Sequence, residues 1–179
     1  MLPIVVTFVG CTLFCVVWAA LRSTSKQQQR NLSELIGGLQ TLDAEAVGVV
    51  AKDYLHPYGV QITMEPAEMW KLVGGLDGLR KMRENAGLML ELAAYAQQWN
   101  FEEGVIVTER MRQDARSLRW AVWLVELGVV PNHFDRYFRV RIPFRVHEAA
   151  TAYHLMRERL LALYESNDIG AYSALAAAL

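Results

Sequence analysis

Apolar side chains recur along three long stretches of the chain at alternating spacings of three and four residues. This spacing places side chains on one stripe of an α-helix, because successive residues are separated by about 100° around the helix axis. The stretches are 77–99, 101–127 and 143–166, and seventeen of their eighteen stripe positions are apolar. The pattern predicts three long helices that pack near-parallel or antiparallel into a bundle. The stripe residues are Leu79, Met82, Ala86, Met89, Ala93, Ala96, Thr108, Met111, Ala115, Leu118, Val122, Val125, Val146, Ala149, Tyr153, Met156, Leu160 and Leu163.

The connections between these stretches contain residues that start or end helices. Asn100 and Glu103 have the spacing of an N-cap pair, which predicts a helical hairpin that breaks at residues 99–100. Gly128 and Pro131 predict the end of the second long helix. Short loops between long helices favour antiparallel neighbours, which agrees with a bundle.

Several shorter elements complete the predicted domain. Pro143 suits the first turn of the third long helix, and residues 137–142 alternate enough to predict a short extended piece before it. The Gly-Gly pairs at 37–38 and 74–75 lie in similar five-residue segments, which indicate either shared helix stops or a degenerate repeat. Because one strand cannot make a sheet, we predict an all-α fold with about three long and two or three short helices. The short helices are expected at 43–54, 66–73 and 168–178.

The N-terminal segment has the composition of a membrane anchor. The first twenty-one residues contain no charged side chain, and the next three charged residues are all positive. About twenty helical residues span the roughly 30 Å hydrocarbon core of a bilayer. A cleaved signal peptide agrees less well with this sequence. No positive residue precedes the apolar run, and the run is longer than is usual for a signal peptide. We therefore expect a retained single-pass transmembrane helix at 1–21, a polar juxtamembrane linker at 22–30 and a helical domain at 31–179. The positive flank predicts an external N-terminus and a cytoplasmic C-terminal domain.

Small residues repeat every four positions along this predicted anchor. Such a ladder lets membrane helices approach closely, so it indicates transmembrane helix packing with a second copy or another subunit. The two cysteines of the chain are both in the ladder, so a disulfide or a cysteine-ligated metal is not expected in the helical domain. The ladder consists of Thr7, Cys11, Cys15 and Ala19.

Charge is distributed unevenly over the helical domain. Residues 31–109 contain five basic and twelve acidic groups, whereas residues 110–179 contain ten basic groups, all arginine, and seven acidic groups. Arginine binds phosphates and carboxylates through two parallel hydrogen bonds, although a GC-rich genome would also favour it. Because the domain is acidic as a whole and no stacking-aromatic motif accompanies the arginines, nucleic acid is not an expected partner.

The arginines concentrate in residues 110–145, which contain eight of them and three acids. Arg112, Arg116, Arg119 and Trp123 lie on one flank of their helix, about 90° from its apolar stripe. Two interpretations remain open. The flank is either a solvated surface beside a buried helix end, or a docking surface for anionic lipid headgroups or an acidic partner. The docking candidates are Arg112, Arg116, Arg119, Trp120, Trp123, Arg139, Arg141 and Arg145.

Histidines offer the other candidate chemistry. Four polar residues of the third long helix lie on one line almost opposite its apolar stripe. They are His147, His154, Glu158 and Glu165. This position predicts a solvated outer face, whereas metal sites in bundles are built in the core. His147, Glu148 and Thr151 have a spacing similar to the phospho-accepting helix of sensor histidine kinases, but alanines flank Thr151 in place of that family's basic residue and proline. Nucleotide-binding, hydrolase and metalloprotease motifs are absent from the sequence, so we predict neither catalytic nor metal-binding residues and no cofactor.

Together these patterns predict a membrane-anchored, non-catalytic interaction or accessory subunit that presents a helical surface next to the membrane. Its expected partners are the membrane itself, a protein or a second copy, and anionic lipid at the arginines. The alternative is a phosphotransfer-type or other enzymatic module that uses the face of His147 and Glu148.

Overall fold

The structure, a computed structural model, describes residues 32–55, 64–98, 101–129, 137–167 and 171–179. The predicted anchor, its ladder of small residues and the linker lie outside these ranges and stay predictions. Every regular element in the described ranges is an α-helix, which confirms the all-α prediction. None of these described helices is both long enough and apolar enough to cross a membrane. The helices are α1 (Leu32–Gly37), α2 (Ala44–Leu55), α3 (Pro66–Leu72), α4 (Gly75–Ala96), α5 (Phe101–Val129), α6 (Tyr137–Ser166) and α7 (Tyr172–Ala178).

Three long helices form the centre of the domain. Helices α4, α5 and α6 all contact one another, and α6 also contacts α2, α3 and α7. All eighteen predicted stripe positions are buried, none of them more than 2% exposed, which confirms the helix phasing. Met82, Leu118 and Leu160 are completely buried on α4, α5 and α6. Seventeen of the thirty-one buried hydrophobic residues in the described ranges are stripe residues, so the stripes account for most of the apolar core.

Helices α4 and α5 follow each other closely, as the helical-hairpin prediction requires. The predicted break at residues 99–100 falls between the last residue of α4, Ala96, and the first residue of α5. A Cβ atom on Gly104 would lie only 2.9 Å from the Cα atom of Gln97, so the first turns of α5 pass close to the end of α4. Glycine permits this approach because it has no side chain. The side chains of the predicted N-cap pair, Asn100 and Glu103, lie outside the described residues.

The structure corrects the predicted start of the third long helix. Residues 137–142 are the first turns of α6 rather than an extended piece, and Pro143 lies inside this helix rather than in its first turn. A proline inside a helix removes one backbone hydrogen bond and crowds the carbonyl oxygen four residues earlier, at a cost of about 3 kcal/mol, although its fixed φ angle is compatible with a helix. Helix α5 continues through Gly128 and ends at Val129, between the two residues that predicted its end. A single glycine costs a helix only about 1 kcal/mol relative to alanine.

The turn between α3 and α4 depends on glycine. Gly74 has a φ angle of 78° and donates its N–H to the carbonyl oxygen of Lys71 at 3.1 Å, which closes the end of α3. This left-handed conformation is the usual helix stop and confirms that function for the second Gly-Gly pair. A Cβ atom on Gly78 would lie 1.8 Å from the carbonyl oxygen of Val73, so α4 starts in direct contact with the end of α3.

Candidate docking surface on helix α5

One side of α5 faces away from the core and is lined by arginine and tryptophan. Arg112, Arg116 and Arg119 are exposed, as are Trp120 and Trp123. At about 100° per residue these five side chains fall within an arc of roughly 100°, separate from the arc that contains the buried stripe. Five of the eight predicted docking residues therefore share one surface, which we call the α5 outer face.

The two tryptophans of this face form a stacked pair. Their ring centroids are 4.9 Å apart with an interplanar angle of 27°. Trp120 is 54% exposed and Trp123 is 46% exposed, and Leu127 beside them is 47% exposed. Large apolar side chains grouped on a surface mark interaction sites more often than single exposed ones do. Leu127 also belongs to the face because it follows Trp123 by four residues, so helical spacing alone could have identified it.

The positive charge of the face is compensated only in part. Arg112 forms an ion pair of 3.1 Å with Glu109, and both side chains are about half exposed. Arg116 and Arg119 have no acidic partner among the residues that the structure describes. Exposed ion pairs contribute little energy, so the guanidinium of Arg112 also remains accessible to a competing anion.

Two other acids of α5 are paired with arginines of neighbouring helices. Asp114 forms an ion pair with Arg159 of α6. Glu126 binds Arg80 at 2.9 Å and Arg83 at 3.0 Å, both on α4. The hydrogen bond from Arg80 holds the pKa of Glu126 below its usual value, with attraction from Arg83 adding to it. These pairs connect α5 to its neighbours and leave the arginines of the outer face as a positive surface.

The other three predicted docking residues lie on α6. Arg145 is engaged locally, at 2.5 Å from Glu148, and its guanidinium carbon lies 5.7 Å from the centre of the Phe144 ring. Arg139 and Arg141 belong to the first turns of α6, but their side chains lie outside the described residues. The structure therefore does not add these three residues to the α5 outer face.

The side of α6 opposite its apolar stripe was predicted to be solvated, and this prediction is wrong for His147. Its side chain is only 1% exposed because α2 packs on this side of α6. Its Nδ1 atom lies 3.4 Å from the hydroxyl of Thr151. Burial lowers the pKa of His147, and the nearby Asp53 carboxylate opposes this shift. A helical wheel drawn for one apolar stripe does not reveal this second buried side, to which the fully buried Ala150 also belongs by its spacing from His147.

His154 is half-buried at the same interface. A Cβ atom on Gly48 of α2 would lie 3.7 Å from its imidazole ring, which is ordinary van der Waals contact. Burial lowers the pKa of His154 too, with Glu158 opposing the shift. Of the four polar residues on this line, only Glu158 and Glu165 are exposed as predicted. Within the described ranges, His, Asp and Glu side chains do not form a group of three that could hold a metal ion.

Two surface clefts are large enough to admit a small molecule. A cleft of about 310 Å³ between α3 and α6 is lined by apolar residues that include Trp70 and Val146. A second cleft of about 410 Å³ lies among α2, α3 and α4. Its Asp43 accepts the N–H of Ala46 as a helix cap at 2.9 Å, and its Asp77 pairs with Lys81 at 2.9 Å. Neither lining brings together a nucleophile, a base and an orienting group, so the α5 outer face is the better candidate site.

Comparison of the chain with family models, with curated proteins and with solved structures found no match in any of the three searches.

Proposed function

We propose that the protein is a membrane-anchored, non-catalytic interaction module whose helical bundle presents the α5 outer face to a binding partner next to the membrane. The observation that carries this proposal is the stacked pair of Trp120 and Trp123 at the surface, next to three exposed arginines. Tryptophan and arginine are among the residue types most enriched at the energetic centres of protein interfaces. Two half-exposed tryptophans leave apolar surface in contact with water, and a partner that covered this surface would gain the free energy of its burial.

The phosphotransfer alternative has less support. A phospho-accepting histidine must be reached by a kinase or by a phosphorylated partner. His147 is 1% exposed beneath α2, so its imidazole is not accessible in this arrangement. Glu148 is occupied by Arg145.

Photo-cross-linking of the full chain in native membranes tests the proposal. A benzophenone amino acid would replace Trp123, and in a matched control it would replace Val49, which is 49% exposed on α2. We expect a strong adduct, with protein or with lipid, at position 123 and a weak one at position 49. Equal or absent adducts at both positions would contradict a docking role for the α5 outer face.

A further inference from the structure

We infer that the occupant of the α5 outer face is the anionic lipid surface of the membrane that holds the anchor. This inference rests on the proposed function, since it names the partner of the same surface. A protein ligand is the competing occupant, and the experiment below separates the two.

The shape of the face suits a planar surface. It is the convex side of a single helix, and the segment from Arg112 to Leu127 extends about 22 Å at 1.5 Å per residue. All its exposed side chains can therefore touch a flat headgroup layer at once. The inner stripe of the same helix, with Met111 and Leu118, remains in the bundle core. Docking therefore requires no unfolding, in contrast to an amphipathic peptide that must bury its only apolar stripe in lipid.

The order of side chains along the helix also matches a lipid surface. Arginines occupy the first half of the face, where their guanidinium groups can bind phosphates through paired hydrogen bonds. Trp120, Trp123 and Leu127 occupy the second half. Indole rings favour the boundary between headgroups and acyl chains because they combine an apolar body with one N–H donor. The face thus offers both an electrostatic and a shallow apolar contact.

The charge distribution orients the domain. The acids exposed on α2, α3 and α4, among them Glu45, Glu68 and Glu84, lie off the α5 outer face. These helices contain six acidic and five basic residues, whose charges nearly cancel. A negative membrane therefore attracts the three arginines of the face more strongly than it attracts these helices, so the lowest-energy orientation turns α5 toward the lipid. Each arginine near an anionic surface strengthens binding by about fivefold at low salt. Screening by salt reduces this gain.

The predicted tether keeps the helical domain close to the bilayer. Nine linker residues, 22–30, separate the predicted anchor from the helical domain, and they extend to at most about 30 Å. Three of them are basic, which favours an anionic leaflet as well. Because the anchor makes docking intramolecular, even a weak surface contact is populated at the high local concentration of lipid.

Fluorescence of the full chain in lipid nanodiscs tests the inference. Replacement of Trp18, Trp70 and Trp99 by phenylalanine leaves Trp120 and Trp123 as the only tryptophan reporters. Brominated acyl chains quench tryptophans that contact the bilayer. We expect quenching in discs of phosphatidylcholine mixed with phosphatidylglycerol, little in phosphatidylcholine alone, and reversal of the anionic quenching by high salt.

Charge variants supply the matched comparison in the same discs. The triple variant Arg112→Gln, Arg116→Gln and Arg119→Gln should lower the ratio of docked to free domain at least tenfold. Each arginine contributes about fivefold to this ratio, and the ion pair with Glu109 reduces the contribution of Arg112. A control with the same change in charge but outside the face should keep the quenching. It combines Lys52→Gln, Lys71→Gln and Arg110→Gln, all at exposed positions. Circular dichroism verifies that both variants remain helical.

Each result decides the inference. Quenching that is equal in neutral and anionic discs, or equal in the two charge variants, would overturn the lipid assignment. If the cross-linker at position 123 still captured a protein in that case, the proposed docking function would stand with a protein as its partner. If it captured neither protein nor lipid, both the inference and the proposed function would fail.

Discussion

Replacement of Gly78 by alanine is expected to destabilise the helical domain strongly. The new Cβ atom would lie 1.8 Å from the carbonyl oxygen of Val73 and 2.9 Å from its carbonyl carbon. Both are backbone atoms at the end of α3, so no flexible side chain can move aside. The turn between α3 and α4 must shift instead, which disturbs the neighbouring core residues Val73 and Leu79.

The size of the effect follows from two opposing terms. Overpacking of a closed site costs about 1–3 kcal/mol, and contact with backbone places Gly78→Ala at the upper end. Alanine recovers about 1 kcal/mol through its better helix propensity. The net loss is about 2 kcal/mol, which lowers the melting temperature of a domain this size by roughly 4–8 °C.

Thermal unfolding of the full chain in detergent, followed by circular dichroism, measures this loss. Gly87→Ala is the matched control, because Gly87 lies on the same helix and a Cβ atom there would meet nothing within 4 Å. The control should raise the melting temperature by roughly 2–4 °C through helix propensity alone. If Gly78→Ala melted at or above the wild-type temperature, the close approach of α3 and α4 would be refuted.

Three further predictions concern the core. Leu160→Ala should lower the free energy of unfolding by about 2–5 kcal/mol in urea titrations, because Leu160 is fully buried on α6; a loss below about 1 kcal/mol would contradict its position. Thr108→Val should raise this free energy by about 1 kcal/mol, since its buried hydroxyl has no hydrogen-bond partner in the described structure; a lower value would indicate a bonded hydroxyl. Burial lowers the pKa of His147, so the unfolded chain binds a proton more readily than the folded one. Stability should therefore be complete above about pH 7 and fall as the pH drops below the unfolded pKa of about 6.5. Urea titrations across this window should show a shallower pH dependence for His147→Gln, and an unchanged dependence would assign the effect to other groups.

The core could be predicted from the sequence because its signal is strong and local. A spacing of three and four residues repeated over six positions per helix determines which side faces inward, whatever the partner helix is. Helical spacing also correctly predicted that Arg112, Arg116 and Arg119 lie on an outward-facing flank of α5. Which acids neutralise which arginines depends on how the helices align along their lengths, and neither the Asp114–Arg159 pair nor the Glu126 pairs follow from local spacing.

The predictions that the structure corrects were wrong for physical reasons. Residues 137–142 alternate over too few positions to distinguish a strand from a helix. Pro143 lies inside α6 although an interior proline costs a helix about 3 kcal/mol, so local preference did not predict its position. His147 is buried because α6 carries a second buried side, formed by small residues such as Ala150 that an apolar stripe does not emphasise. The burial of this side depends on its contact with α2, which the residue spacing within α6 does not predict.

Cysteine accessibility in inside-out membrane vesicles tests the central claim most directly. In a chain with Cys11 and Cys15 replaced by alanine, Leu127→Cys places a thiol on the α5 outer face and Val49→Cys places one on α2, at 47% and 49% exposure. A membrane-impermeant maleimide should label position 49 rapidly and position 127 slowly, with detergent restoring fast labelling at position 127. Equal labelling at the two positions would show that the α5 outer face is free, and absence of labelling at both would contradict the predicted cytoplasmic orientation.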